Sequence, residues 1–330
     1  MRVFTRRPRA VAAVTVLGII TISGCASSAS PGAAGSTASA AAASGFPVTV
    51  SAADGKVHVP QRPDAIISLS PTATEMLYAI GAGSQVTAVD VNSDYPPRAP
   101  RTKLSGFTPN VEAIVAHKPD LVIVDGTTGA LVQKLGALSV PVLELPAPVT
   151  LSGMYAEFSQ LGQATGHLAQ AERENASLRA QISKIAATVP RHSPALTYYY
   201  ELDQTYYSLT SATFVGQLLS LLGMKSIADS AHGTAAAGGY PQLSSEFIVR
   251  ANPGYVILAD TVCCHQNAAT VAGRPGWAGM TAVKEGHIIP LNDDIASRWG
   301  PRVVDLLRAV ASAISAKAQP GASASSGGGT

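Results

Sequence analysis

The chain has 330 residues, which is enough for two α/β lobes or one large domain. Charged residues make up only 13% of it, and the formal net charge of +2 depends on four arginines among the first 24 residues. The remainder is close to neutral, which argues against a protein that grips nucleic acid by charge. No long apolar run follows residue 24, so the sequence does not predict a polytopic membrane protein.

The N-terminal segment is predicted to export and anchor the protein. A basic start is followed by an apolar stretch over residues 10–22, which is the length of a signal peptide. The next residues, Ser23-Gly24-Cys25, resemble a bacterial lipobox, in which the cysteine is lipidated. An ordinary cleaved signal with an accidental cysteine is the alternative. We therefore expect a signal peptide over residues 1–24 and an anchor at Cys25, on the extracytoplasmic face of the cell membrane.

Two segments have too little apolar content to fold. Residues 26–45 are Ala, Ser, Gly, Thr and Pro only, and residues 318–330 are similar in composition. Such stretches cannot bury a core. The sequence thus predicts a flexible tether over residues 25–60 and a disordered tail over residues 318–330.

Short apolar strands alternate with helices along the rest of the chain, which predicts parallel sheets with crossover helices. In the first half, strands are predicted at residues 65–69, 86–89, 121–124 and 142–145, with helices at 72–80, 111–116 and 129–138. In the second half, strands are predicted at residues 195–200, 255–258 and 287–291, with helices at 214–222, 244–251 and 302–316. We divide the chain into an N-terminal lobe (61–150), connecting helices (151–190) and a C-terminal lobe (191–317).

The connecting segment is predicted to hold a long helix. From residue 168 it is rich in Ala, Glu, Gln, Arg and Lys, and Leu178, Ile182 and Ile185 lie on one helical stripe. At 1.5 Å per residue this helix would span roughly 30 Å and could bridge the lobes. An ordinary surface helix is the alternative.

An internal repeat relates the two halves. Residues 111–124 (VEAIVAHKPDLVIV) align without gaps on residues 245–258 (SEFIVRANPGYVIL). Each copy reads as a short helix, a turn marked by proline and a buried strand. The repeat predicts two lobes built on one plan, with Glu112 and Glu246 at equivalent positions.

Motifs for common chemistries are missing from the sequence. It contains no GxSxG elbow and no GxxxxGK[ST] phosphate loop, and its seven histidines show no metal-ligand spacing. We therefore predict no enzyme, no catalytic residue, no metal site and no resident cofactor.

Five stretches carry a family resemblance. They are IISLSPTATEMLYAIGAG (66–83), NSDYPP (92–97), NVEAIVAHKPDLVIV (110–124), YPQLSSE (240–246) and DDIASRWGPRVVDLL (293–307). Together they resemble the vitamin B12/iron-siderophore family of periplasmic binding proteins, the substrate-binding lipoproteins of ABC importers. The resemblance implies a class III fold, α/β with two Rossmann-like lobes bridged by a long α-helix, and a monomer that closes little on its ligand.

The same resemblance implies the partners. The cargo would be a small metal chelate, and Glu112 and Glu246 would dock onto arginines of the permease subunits of the ABC transporter. A glutamate favoured by the helix dipole in the first turn would explain both positions without docking.

The resemblance also places a ligand cleft at the loops that follow the strands. The predicted contacts are Ser93, Asp94, Tyr95 and Phe107 from the first lobe, and Tyr206, Tyr207, Tyr240, Asp294, Arg298 and Trp299 from the second. Tyr240 falls where B12 binders carry a large aromatic residue, whereas Asn92 departs from the aromatic that often precedes their Ser-Asp-Tyr-Pro run. We expect a cobalamin-like corrinoid as cargo, with a ferric siderophore or haem as the alternative. A secreted enzyme and a signalling sensor are the other classes considered.

The adjacent Cys263 and Cys264 have three interpretations. They could form a vicinal disulfide, although neighbouring Cα atoms are about 3.8 Å apart and most disulfides span more. A thiolate, or the following His265, could instead contact the metal of a bound chelate. The pair could also only shape the loop.

Overall fold

The structure, a computed structural model, describes residues 45–53, 55–126 and 129–317. The predicted signal peptide, the lipidation site Cys25 and the predicted tail 318–330 lie outside the described residues. Among the residues that are described, no helix is long and apolar enough to cross a membrane.

A β-hairpin opens the described part of the chain. Strand β1 (Val48–Ala52) pairs antiparallel with strand β2 (Gly55–Val59). Val50 and Val59 are buried in the main core, and the side chain of Gln160 donates to the Ser51 carbonyl. The tether predicted over residues 25–60 is thus too long, because alternate valines bring the end of that segment into the core.

The N-terminal lobe contains one parallel sheet. Its strands are β3 (Ile66–Ser68), β4 (Val86–Val89), β5 (Leu121–Val124) and β6 (Val142–Glu144), and its helices are α1 (Pro71–Ala79), α2 (Val111–Val115) and α3 (Gly129–Ala137). The strand order is β4-β3-β5-β6. Ser70 caps α1 by accepting the N–H of Ala73, and Pro71 occupies the first turn. This cap fixes the direction in which α1 leaves the carboxyl end of β3.

Two helices connect the lobes, α4 (Leu151–Thr165) and α5 (Leu168–Ala186). Gly166 ends α4 in the left-handed conformation, with φ at 78°, which is why a new helix starts there. Helix α5 has 19 residues and buries Leu178 and Ile182, as the apolar stripe predicts. Side chains of α4 and α5 belong to the same core cluster as residues of both lobes, so these helices are a packed part of the fold.

The C-terminal lobe repeats the plan of the first lobe. Its strands are β7 (Leu196–Glu201), β8 (Met224–Ser226), β9 (Tyr255–Leu258) and β10 (Ile288–Pro290), and its helices are α6 (Phe214–Leu221), α7 (Ser245–Ala251), α8 (Ala268–Ala272), α9 (Thr281–Lys284), α10 (Asp293–Ser297) and α11 (Val303–Lys317). The parallel sheet has the order β10-β9-β7-β8. Counted within each lobe, both sheets run second-first-third-fourth. The two-lobed α/β fold predicted from the sequence is therefore confirmed, with β8, α8, α9 and α10 as additions.

Candidate ligand-binding cleft

Two cavities lie at the carboxyl ends of the strands, where open parallel sheets bind ligands. The first, the acidic cavity, has a volume of about 470 Å³ and is lined by residues of both lobes, among them Asp90, Asp94, Asp125, Asp294, Arg101, Arg298, Phe107 and Trp299. The second, the tyrosine cavity, has a volume of about 510 Å³ and is lined by Tyr240, Phe214, Thr213, Pro148 and Val149 among others. The acidic cavity follows β3, β4, β5 and β10, whereas the tyrosine cavity follows β6 and β8 at the opposite edges of the sheets. Residues of both lobes line each cavity.

Aromatic side chains that are largely exposed to solvent line these cavities. Phe107 is 88% exposed and Tyr240 is 43% exposed. A Cβ at Gly106 would collide with the Leu69 carbonyl oxygen, so the close backbone approach that places Phe107 at the rim requires glycine. A flat ligand could cover these rings, each of which buries about 150–250 Å² when enclosed.

Arg298 lies in a ring of acceptors. Its Nη1 donates to Glu75 Oε1 and to Asp94 Oδ1, both at 3.0 Å. Its Nη2 donates to Asp294 Oδ1 at 2.6 Å and to the Asn92 carbonyl at 3.1 Å. Burial raises the pKa of Asp294, while the charge of Arg298 opposes that rise. The guanidinium therefore joins both lobes through charged hydrogen bonds.

Trp299 is held against the connecting helix α4. Its Nε1–H donates to Glu157 Oε2 at 2.8 Å. Burial raises the pKa of Glu157 to about 8, the hydrogen bond from Trp299 lowers it, and the charge of Asp125 raises it further. The pKa of Asp125 is itself raised by burial and by Asp90. A buried carboxyl thus fixes the indole at the wall of the acidic cavity.

The predicted ligand contacts fall into three groups. Asp94, Phe107, Asp294, Arg298 and Trp299 line the acidic cavity, and Tyr240 lines the tyrosine cavity. The others lie in neither lining. Among them, Tyr95 follows Asp94 in the chain, and the centre of its ring lies 4.3 Å from the Arg302 guanidinium carbon.

Ser93, Tyr206 and Tyr207 lie in neither cavity lining, so the structure does not bring them to the candidate site. Ser93 is fully buried, donating to Asp90 and accepting from Thr74, and it supports the loop from inside. Tyr206 stacks on Trp277 with ring centroids 5.8 Å apart, beside α7. Tyr207 is 42% exposed.

Sequence reasoning missed four acids of the cleft: Asp90, Asp125, Glu75 and Glu157. Asp90 and Asp125 come directly after β4 and β5, so their position at strand ends was a usable signal. Glu75 and Glu157 lie on the buried faces of α1 and α4. A carboxylate on an otherwise apolar helical face is uncommon unless it has a charged partner, and that pattern was the signal for both.

Comparisons with known proteins identify the family of the chain. The family described as "Periplasmic binding protein" matches residues 66–295. The chain belongs to the periplasmic binding protein family. It is 31% identical to a vitamin B12-binding protein of Pectobacterium carotovorum, over 79% of this chain and 91% of the relative. It is 27% identical to an ABC transporter substrate-binding lipoprotein of Bacillus subtilis, over 82% of this chain and 86% of the relative.

A solved structure gives the same picture of the fold. The structure of a candidate iron-binding (periplasmic solute-binding) protein from Staphylococcus epidermidis superposes with a TM-score of 0.67 at 25% identity, covering 77% of this chain and 99% of that one. The family resemblance predicted from the motifs is confirmed. This family supplies a substrate-binding component of transport, which is non-enzymatic.

The two repeated glutamates of this periplasmic binding protein occupy equivalent exposed sites. Each is the second residue of a short helix, α2 or α7, and the residue before the helix caps it: Asn110 accepts the N–H of Ala113, and Ser244 accepts the N–H of Phe247. Glu112 and Glu246 are both exposed. Hydrogen bonding from its own backbone and from Ser244 lowers the pKa of Glu246. The sequence repeat therefore places one exposed carboxylate on each lobe.

The cysteine pair lies in the loop after β9. The structure joins the sulfur atoms of Cys263 and Cys264 in a disulfide. The backbone N–H groups of Val262 and Cys263 donate to the two carboxylate oxygens of Asp293, at 2.9 and 2.7 Å. Asp293 precedes Asp294 of the acidic cavity, so this loop is tied to one wall of the cleft. Among the described residues, no cluster of three or more His, Cys, Asp or Glu could hold a metal ion.

Proposed function

We propose that this protein captures a cobalamin-like corrinoid outside the cytoplasm and delivers it to an ABC importer. The observation that carries the proposal is the set of exposed aromatic rings on both sides of the interlobe cleft, with Phe107 and Tyr240 the most important. Flat rings pack well on the face of a flat macrocycle. The name of the Pectobacterium relative supports the same cargo.

The charges of the cleft favour a corrinoid over the alternatives. Asp90, Asp94, Asp125 and Asp294 all line the acidic cavity and outnumber its two arginines. Of these two, Arg298 is engaged by protein carboxylates, and Arg101 donates to the Val91 carbonyl. The propionates of haem, or an acidic ferric siderophore, would be repelled by these carboxylates. A corrin carries carboxamide side chains, whose N–H groups are good donors to carboxylates.

The partners follow from the surface and from the N-terminus. We propose that Glu112 and Glu246 contact arginines of the permease subunits, one on each lobe. We further propose that the protein acts as a monomer, held on the extracytoplasmic face of the cell membrane by a lipid on Cys25. Replacement of Cys25 by serine should abolish incorporation of labelled fatty acid, and continued labelling would contradict the anchor.

A ligand panel tests the cargo. The purified protein is melted with cyanocobalamin, cobinamide, haemin and ferric siderophores, and binding is then measured by calorimetry. A ligand present at 100 times its Kd adds about 2.7 kcal/mol to the free energy of unfolding, which a thermal shift detects. Stabilisation by the corrinoids alone supports the proposal, whereas stabilisation by haemin or a ferric siderophore alone overturns it in favour of iron transport.

A further inference from the structure

Glu75 is a buried carboxylate that ties the two lobes together. It lies on α1 of the N-terminal lobe, and its side chain is 0% exposed. It accepts from Arg298 Nη1 at 3.0 Å and from Arg302 Nε at 2.9 Å, and Arg302 Nη2 adds a further bond. Both arginines belong to the C-terminal lobe, at the end of α10 and the start of α11. One carboxylate thus holds two guanidinium groups across the cleft.

Arg298 has three further acceptors besides Glu75, and Arg302 has an aromatic neighbour. Arg298 also donates to Asp94, Asp294 and the Asn92 carbonyl. The Arg302 guanidinium lies over the ring of Tyr95. A guanidinium bonded on several sides in one plane is fixed in position and has its charge compensated. Arg298 lines the acidic cavity but is not available to an acidic group of the cargo.

We propose that Glu75 is a specificity-determining positioning residue, which keeps acidic chelates out of the cleft by holding Arg298 and Arg302. The idea rests on the proposed function, because it explains how a cleft with arginines in its wall selects an uncharged or cationic corrinoid. Discrimination between ligands often depends on an element that disfavours the wrong one. In this protein that element is the surplus of carboxylates over free guanidinium groups. Removal of the Glu75 charge leaves Arg298 short of an acceptor and directs it toward an acid on the ligand.

The test compares a neutral and an acidic probe. Cyanocobalamin and haemin are titrated by calorimetry into the wild type and into the Glu75→Gln variant. The measured quantity is the ratio of the Kd for haemin to the Kd for cyanocobalamin. We expect the variant to lower this ratio by about tenfold or more, the effect of one charged hydrogen bond.

Two further variants make the test independent of folding. Asp94 accepts from Arg298 and its side chain is partly exposed, so Asp94→Asn loosens Arg298 without leaving a buried charge unpaired. It should lower the ratio in the same direction by a smaller factor. Asp305 pairs with Arg308 on the exposed side of α11, and Asp305→Asn is the matched control, which should leave the ratio at its wild-type value.

The outcomes separate the two proposals. If the wild type binds cyanocobalamin but Glu75→Gln and Asp94→Asn both leave the ratio unchanged, the role of Glu75 is overturned and the proposed function stands. If the wild type prefers haemin, the proposed function fails, and a further drop of the ratio in the variants still supports the role of Glu75. If Glu75→Gln does not fold, as judged by circular dichroism, Asp94→Asn is compared with Asp125→Asn, which removes a carboxylate of the same cavity that has no hydrogen bond to Arg298. A larger drop of the ratio for Asp94→Asn supports the holding of Arg298, and equal drops overturn it.

Discussion

Tyr240 is the residue on which the cargo proposal depends most directly. Its ring lines the tyrosine cavity and is 43% exposed. Tyr240→Ala should weaken corrinoid binding by about 1–3 kcal/mol, as expected for a buried aromatic anchor, and Tyr240→Trp should be tolerated. The melting temperature of the unliganded protein should not change, because an exposed ring contributes little to the core. Calorimetry and thermal melts measure both quantities.

Tyr207 provides a matched control for Tyr240. It is 42% exposed and belongs to neither cavity lining. Tyr207→Ala should therefore leave the affinity unchanged. Equal losses of affinity in Tyr240→Ala and Tyr207→Ala would mean that the ligand binds elsewhere. A lower melting temperature for Tyr240→Ala would mean that Tyr240 stabilises the fold.

Glu157 should make the stability of the protein depend on pH. Its pKa is raised from 4.5 to about 8, chiefly by burial, so the folded protein retains a proton that the unfolded chain has lost. The stabilisation is complete below the unfolded pKa and is lost as the pH rises through about 8. We expect the melting temperature of the unliganded protein to fall between pH 5 and pH 9 and the fall to be smaller in Glu157→Gln. Burial and Glu201 raise the pKa of Asp260 to about 7. The melting temperature of Glu157→Gln should therefore still fall with pH, but less steeply.

Trp299→Phe provides the opposite check on Glu157. The indole N–H lowers the pKa of Glu157, so its loss should move the pKa further up and shift the fall in stability to higher pH. If neither Glu157→Gln nor Trp299→Phe alters the dependence of the melting temperature on pH, Glu157 does not titrate between pH 5 and pH 9.

At the scale of elements, the N-terminal hairpin is a stabilising part of the fold. Val50 and Val59 are buried, and each contributes about 1.5–3 kcal/mol when removed from water. A chain beginning at residue 61 should therefore melt well below a chain beginning at residue 45, while its ligand affinity stays the same because the hairpin packs on α4 away from the cavity linings. Thermal unfolding followed by circular dichroism measures the difference. Equal melting temperatures would show that the hairpin does not stabilise the fold.

Helices α2 and α7 are five and seven residues long and form at equivalent places because each begins with a side-chain cap and ends before a buried strand. The short apolar strands that follow them, β5 and β9, are inner strands of their own sheets. Caps and apolar runs can be recognised from the sequence alone. The boundaries of the helices and strands in the repeat were therefore predicted to within one residue. Strand β8 was not predicted because its sequence, Met-Lys-Ser, has a single apolar residue, whereas the equally short β3, β6 and β10 each have two in succession.

At the scale of the whole molecule, the two lobes present Glu112 and Glu246 as a pair. Combined replacement of both by alanine should keep ligand affinity within about threefold, because these exposed side chains lie outside the cavity linings, and a surface charge mainly affects association with a partner. Stimulation of the ATPase of the cognate importer should fall strongly. The assay uses the importer in liposomes, with Asp305→Ala as the control at another exposed carboxylate. An undiminished ATPase response in the double variant would show that docking uses other residues.

The sequence by itself determined the lobes, their strands and the family, because those depend on local periodicity, on caps and on a repeat that can be aligned. It also indicated Asp94, Asp294, Arg298 and Trp299, since these lie in a continuous motif or next to one. Only the tertiary structure decided that Glu75 meets Arg298 and Arg302, residues more than 200 positions away, and that Glu157 meets Trp299. The tertiary structure also showed that Ser93 is buried and that Tyr206 stacks on Trp277, so that neither residue lines the cleft. The physical reason is that burial and charge pairing depend on which faces of distant elements are in contact, and local sequence patterns do not determine those contacts.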